Sequence, residues 1–189
     1  IGMSSSQISA TTTAQIAGLG IAQIAVLETD DIAALSTVQV VALSTGQFSA
    51  FSGTMGGSAF LDSGPVYWNG SGQISAFTTT QIAAIETRDI AVLSSLQIQS
   101  FTTDQIQALT THQITALSLG TGYWWEGSDK LSLMTSQLGA LETQDVVALS
   151  TRQIAAITSS QVAGFTTRQI ASMETRDVAS LSSLSLIHI

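Results

Sequence analysis

Residues 101–118 read FTTDQIQALTTHQITALS, and the phrase Thr-Thr-x-Gln-Ile-x-Ala-Leu at 102–109 departs from itself by little when it returns eight residues later at 110–117. The same phrase runs through the chain. A Gln or Asp precedes the first aliphatic residue at Gln7, Gln15, Gln23, Asp31, Gln39 and Gln47. It does so again at Gln73, Gln81, Asp89, Gln97, Gln105 and Gln113, and again at Gln137, Asp145, Gln153, Gln161, Gln169 and Asp177. Every step inside a block is eight residues, and there are three blocks of six. A fixed period marks a repeat architecture, in which one unit cannot bury its own apolar face and leans on its neighbours.

The consensus is [S/T/E]-[S/T]-x-[Q/D]-[I/V]-x-[A/S]-[L/F/I]. In residues 36–43, Ser36 suits an N-cap and Gln39 stands three residues on, where its side chain reaches back to the cap N–H. That is a capping box. Val40 and Leu43 are then i and i+3 on one helical face. Each octad therefore reads as one very short helix followed at once by a new cap, and the array as an all-α superhelical solenoid or rod. Ile106, Leu109, Ile114, Leu117 and their equivalents would line its core. Small residues between them, such as Ala84 and Ala108, would let adjacent turns approach.

Two other folds compete. In one continuous helix, eight residues at ~100° each drift by ~80° per repeat, so the apolar stripe would wind round the helix and face no partner. The Ser and Thr pairs would also oppose it, since they favour caps. A β-solenoid would point Ile and Ala one way and Leu the other. The β-branched residues favour it, and the near absence of Asn and Gly inside the octads opposes it. It stands as the alternative.

The 189 residues are 44% hydrophobic and only 10% charged, against ~25% charged in ordinary soluble proteins. Thirteen acids against five bases give a net charge of −8. That balance argues against nucleic acid and anionic membrane surfaces as partners. With no cysteine there is no disulfide and no thiolate metal site. No apolar run approaches the ~18 residues of a membrane-spanning helix. The opening IGMSSSQISA has no signal-peptide pattern and begins in mid-repeat, which suggests a piece of something longer. The closing SLSLIHI, residues 183–189, breaks the pattern with Ser185 at the marker. It reads either as an ordinary apolar end or as a translated sequencing-adapter tail of a metagenomic gene, in which case His188 carries no meaning.

Four octads start with acids: Glu28 to Asp31, Glu86 to Asp89, Glu142 to Asp145 and Glu174 to Asp177. Paired carboxylates can ligate a divalent cation, and first-turn acids also suit a helix dipole. Arg88 and Arg176 inside two of the boxes weaken the metal reading, so no metal or cofactor is expected. Glu caps poorly, so the following Thr is expected to take over as cap.

Two Gly-rich segments interrupt the octads. They divide the chain into repeat block 1–51, insertion 52–72, repeat block 73–117, insertion 118–134 and repeat block 135–189. The insertions read as loops or hairpins. The second marker gap, 24 residues, keeps the octad phase, whereas the first, 26, does not. They hold Tyr67, Trp68, Tyr123, Trp124 and Trp125, including every Trp of the chain. Such residues can stack on sugars or anchor a protein partner, or they can plug an open edge of the rod. Asn69-Gly70-Ser71 matches a glycosylation sequon.

No HExxH, phosphate loop or GxSxG occurs. His112 occupies a variable slot also filled by Asp104, Arg152 and Arg168, as a solvated surface residue would. The expectation is no enzyme.

The octads at Thr102 to Leu109 and Thr166 to Met173, with the variant ETRDIAVL at Glu86 to Leu93, resemble the LTTxQIxAL arrays of very large bacterial secreted or cell-surface proteins. The resemblance implies a structural, extracellular or surface-displayed repeat module: a stalk, or a filament protomer that self-associates head to tail. An adhesin-like module that recognises glycan or protein through its Trp and Tyr residues is the alternative.

Overall fold

The computed structural model describes residues 4–27, 31–32, 34–53, 71–91, 93, 95–117, 131 and 133–181. Within an octad the chain forms a helix and then bends. Thr103–Ala108 is helical, Leu109 (φ −63°, ψ 135°) and Thr110 (φ −72°, ψ 155°) are extended, and Thr111–Ala116 is helical again. The hydroxyl and the Gln start each helix. Thr102 N–H donates to Gln105 Oε1 at 2.8 Å, and Gln105 N–H donates to Thr102 Oγ1 at 3.2 Å. The same reciprocal box joins Ser4 to Gln7, Ser36 to Gln39, Thr78 to Gln81 and Thr166 to Gln169. Such a cap contributes ~1 kcal/mol.

The described residues contain seventeen helices, of four to nine residues each, and no strand. The fold is all-α, and the β-solenoid is excluded by the side-chain pattern. Ile106 and Leu109 are both buried, Ala108 is half-buried and Gln107 is exposed. That is one helical face, not strand alternation.

In the acidic octads of Asp145 and Asp177 the expected exchange of caps does not occur. Glu142 and Glu174 themselves sit at the N-cap, with extended backbone and no side-chain cap bond. The backbone bend falls at the same place as in the octads that start with Ser or Thr. A poorer capping side chain leaves the bend where it is.

The chain divides into two units, Ile1–Val92 and Leu93–Ile189. In the first, Thr13–Ala17 packs on Thr37–Val41 and Ile21–Ile24 on Thr45–Gly53. In the second, Thr143–Ala148 packs on Thr167–Ser172 and Thr151–Ala155 on Thr175–Ser180. Each of these helices meets the one three octads on, whereas across the second interruption Thr103–Ala108 packs on Thr135–Ala140, four octads on, and each unit is a helical repeat solenoid.

Its core is built from the two apolar positions of the octad, mostly Ile and Leu. Ile106, Ile114 and Ile154 are 0% exposed, with Leu109 and Leu117 close behind. Each such burial contributes ~2 kcal/mol relative to exposure. Phe48 and Phe77 fill two of these places and meet edge to face, 4.9 Å between ring centres. The variable slot before the marker points outward, so Val38 and Leu96 remain exposed. No helix among the described residues is long and apolar enough to cross a membrane.

Candidate functional site: glutamines that join coil to coil

Short helices multiply unsatisfied backbone groups, since every end leaves donors or carbonyls without intrahelical partners. The marker glutamine serves both kinds of end. Its Oε1 accepts the N-cap N–H of its own helix. Its Nε2 donates to carbonyls that close a helix one coil earlier. Gln39 Nε2 reaches the carbonyls of Ile8 (3.0 Å) and Thr11 (2.8 Å). Gln47 reaches Ile16, Ala17 and Leu19, and Gln169 reaches Leu138 (2.9 Å) and Leu141 (2.7 Å). The partners lie 28 and 31 residues back in the Gln39 and Gln169 cases, so the coil returns after about three and a half octads.

The interruptions do not break this pairing. Gln81 holds Leu43 and Val40, 38 and 41 residues back. Gln137 holds Phe101 and Ile98, 36 and 39 residues back. Both gaps therefore resume the same contacts, although only the second is a whole number of octads. The coil matches helix ends in space and tolerates surplus residues between them.

Aspartate fills the marker differently. It is too short to span to the earlier carbonyls and has no N–H to donate. A hydroxyl comes to it instead, from the first helical residue three octads earlier, or four where the second interruption intervenes. Ser5 Oγ donates to Asp31 Oδ1 at 3.0 Å, Thr111 Oγ1 to Asp145 Oδ1 at 2.8 Å, and Thr151 Oγ1 to Asp177 Oδ1 at 3.4 Å. Asp145 and Asp177 are 2% and 1% exposed, so these hydroxyls meet buried carboxylates.

Two of the acidic boxes are closed by ion pairs. Arg88 Nε lies 2.7 Å from Glu86 Oε2, and Arg176 Nε lies 2.9 Å from Glu174 Oε2. Among the described residues no group of three or more His, Asp and Glu could hold a metal ion. His112 is exposed, as are Asp104, Arg152 and Arg168 in the same slot. A groove of about 1030 Å³ in the second unit is lined by Ser95, Gln99, Thr135, Ser136, Thr158 and Ser160, among others. Among the described residues its lining presents hydroxyls, amides and apolar side chains. Tyr67, Trp68, Tyr123, Trp124 and Trp125 lie outside the described residues, as do Asn69 and His188.

A family model described as the ALTTAQ repeat matches three times, at residues 24–54, 82–119 and 138–175, more than half of the chain. The chain belongs to the ALTTAQ repeat family. Each ALTTAQ match runs through several consecutive octads, and so covers both the capping box and the glutamines that join coils. No curated protein and no solved structure matches the chain.

Sequence reasoning found the first half of the glutamine's work and missed the second. A signal was present: the marker is Gln or Asp at all eighteen positions and never Glu. A capping box accepts Glu as readily as Gln. The exclusion of Glu points to a second task that a carboxylate of the same length as Gln cannot perform.

Proposed function

We propose that this ALTTAQ array is a structural module of an extracellular bacterial protein, serving as a stalk or as the protomer of a filament. One observation carries the reading. Every buried polar or charged side chain among the described residues is an octad marker, from Asp31 and Gln39 to Gln169 and Asp177. The polar interior is thus committed to holding one coil on the next. Enzymes instead keep perturbed polar groups in a cleft for chemistry. The Ser, Thr and Gln exterior, low charge and absence of thiols suit a setting outside the cell.

The test is imaging together with localisation. Negative-stain micrographs of the purified chain are expected to show particles much longer than wide, or fibres. Antibody against the chain is expected to label intact cells that carry the gene. Round, compact particles would overturn the structural reading, and labelling only after lysis would overturn the extracellular one.

A further inference from the structure

Three acidic octads among the described residues begin with Glu, and in each the side chain two places on pairs with it. At Glu86 and Glu174 that side chain is Arg88 or Arg176, so each pair cancels its own charge. At Glu142 it is Gln144, whose Nε2 donates to Oε2 at 2.7 Å. An amide fills a lone pair without bringing a positive charge. Glu142 is exposed and has no ion pair among the described residues. The missing cation stands one coil on. Arg168 is also exposed, and it too forms no ion pair among the described residues.

The helix that holds Arg168, Thr167–Ser172, packs on Thr143–Ala148, which follows Glu142 directly. The two charged groups border one cleft of about 490 Å³, with Gly139, Thr143, Gln144 and Thr166 also in its lining. That volume falls within the ~300–1,000 Å³ of small-molecule sites. Gly139 is the only glycine at the sixth place of an octad, so this wall carries no side chain there. Both charged groups occupy places that stay open when a further coil follows. The third place of the octad is exposed at Asp104, His112 and Gln144, and the first at Thr102 and Thr110, although a later helix packs on each of theirs. The cleft therefore opens sideways, where no coil of the array closes it.

We propose that this cleft binds a small zwitterion, an amino acid, with its carboxylate on the Arg168 guanidinium and its ammonium on the Glu142 carboxylate. The planar fork of a guanidinium fits a carboxylate in two parallel bonds. Gln144 takes up Glu142 Oε2 and leaves Oε1 for an ammonium. Among the described residues the lining holds one acid and one base. A ligand of single charge satisfies one of them and is repelled by the other, whereas a ligand with both charges satisfies both. Binding here is independent of whether the array serves as a stalk.

The experiment is a titration of the isotope-labelled chain, followed by the backbone amide resonances at low salt, where exposed charges are least screened. Glycine, β-alanine and γ-aminobutyrate serve as probes that differ in the distance between their charges. Acetate and methylammonium carry one charge each. At least one amino acid is expected to move the amides of Thr143, Gln144 and Arg168, with a dissociation constant at least ~10-fold below that of either single-charge probe. The amides of the closed box at Glu174 to Asp177 should not respond. Arg168→Gln and Glu142→Gln change exposed side chains, and the second keeps an oxygen for the Gln144 amide. Both should therefore retain the far-UV circular dichroism of the wild type, and each should weaken binding ~10-fold. Amino acids that bind no tighter than acetate or methylammonium would overturn the site in the wild type alone. Binding that survives both substitutions unchanged would overturn it as well.

Discussion

The marker glutamine shows why one side chain can recur at a fixed interval while its neighbours vary. Gln169 is 3% exposed, and its Nε2 faces the oxygens of Leu138 and Leu141 at 2.9 and 2.7 Å. Gln169→Glu would keep the cap and place a buried carboxylate against two carbonyls. The expected loss is about 3 kcal/mol or more at neutral pH, read from urea unfolding. The fold favours the neutral acid at that place, so the new group's folded pKa stands above its unfolded one. The deficit is therefore complete above the folded value and shrinks as pH falls through it, when the protonated acid regains an O–H to donate. A deficit equal at acid and neutral pH would show that the amide's N–H does not matter. The Asp octads permit a sharper comparison. Thr111→Val removes the donor 2.8 Å from the buried Asp145 carboxylate and should cost about 2 kcal/mol. Thr103→Val, at the matching place of the preceding octad, alters an exposed side chain and should be close to neutral. At this scale the cap was legible because it lies within three residues of sequence. The long-range partner was not, because near-identical octads carry no mark of which one lies beside which.

The helices are too short to stand alone, since nucleation is unfavourable and isolated helices below ~12 residues are marginal in water. Their existence therefore depends on packing, and it is close where two glycines coincide. A Cβ on Gly139 would lie 2.7 Å from the Gly164 carbonyl oxygen, and one on Gly164 would overlap the carbonyl oxygen of Thr135 and approach its Cγ2 at 2.9 Å. Thr135–Ala140 and Ser159–Val162 are in contact, and Gly164 stands in the turn that follows the second. Gly164 occupies the slot that Ala or Ser fills in most octads, so Ala suits the local helix and clashes only with the neighbour. Gly164→Ala is accordingly expected to destabilise by about 1–3 kcal/mol in spite of its better helix propensity. A rise in the thermal midpoint would show that the two helices are not held this closely. The helical period and the bend were legible from Ile at one place, Leu three on and Ser or Thr after it. The glycine pair was not, because its members stand 25 positions apart and meet only once the coil's return distance is known.

At the scale of the whole molecule, coil-to-coil contacts make stability a sum of neighbour terms, so whole repeats should be removable and fractions of a repeat should not. Deleting residues 158–165 joins Ile157 to Thr166 and takes out one octad. Gln169 then moves into the place of Gln161, whose amide holds the carbonyls of Leu131 (2.7 Å) and Leu133 (2.6 Å). Asp177 moves into the place of Gln169, three octads beyond the helix Thr143–Ala148, where Thr143 stands as hydroxyl donor in the role Thr151 now fills. The Gln161 and Asp177 partnerships are rebuilt from residues already present, and the Leu138 and Leu141 carbonyls alone lose their amide. The shortened chain should keep its helical circular dichroism signal and unfold cooperatively, with a urea midpoint lowered about as far as by Gly164→Ala, since Ser172 moves into the place of Gly164. Deleting residues 158–161 alone removes half as much chain but also the Thr158 cap and the Gln161 amide. It leaves Gln169 four residues out of step, so its amide and the buried face of Ile170 and Met173 turn away from the coil they bind. That variant should lose the helical signal of its closing octads and expose them to protease. The larger deletion proving the more harmful would mean that the octads are not interchangeable, and the additive view of this fold would fail.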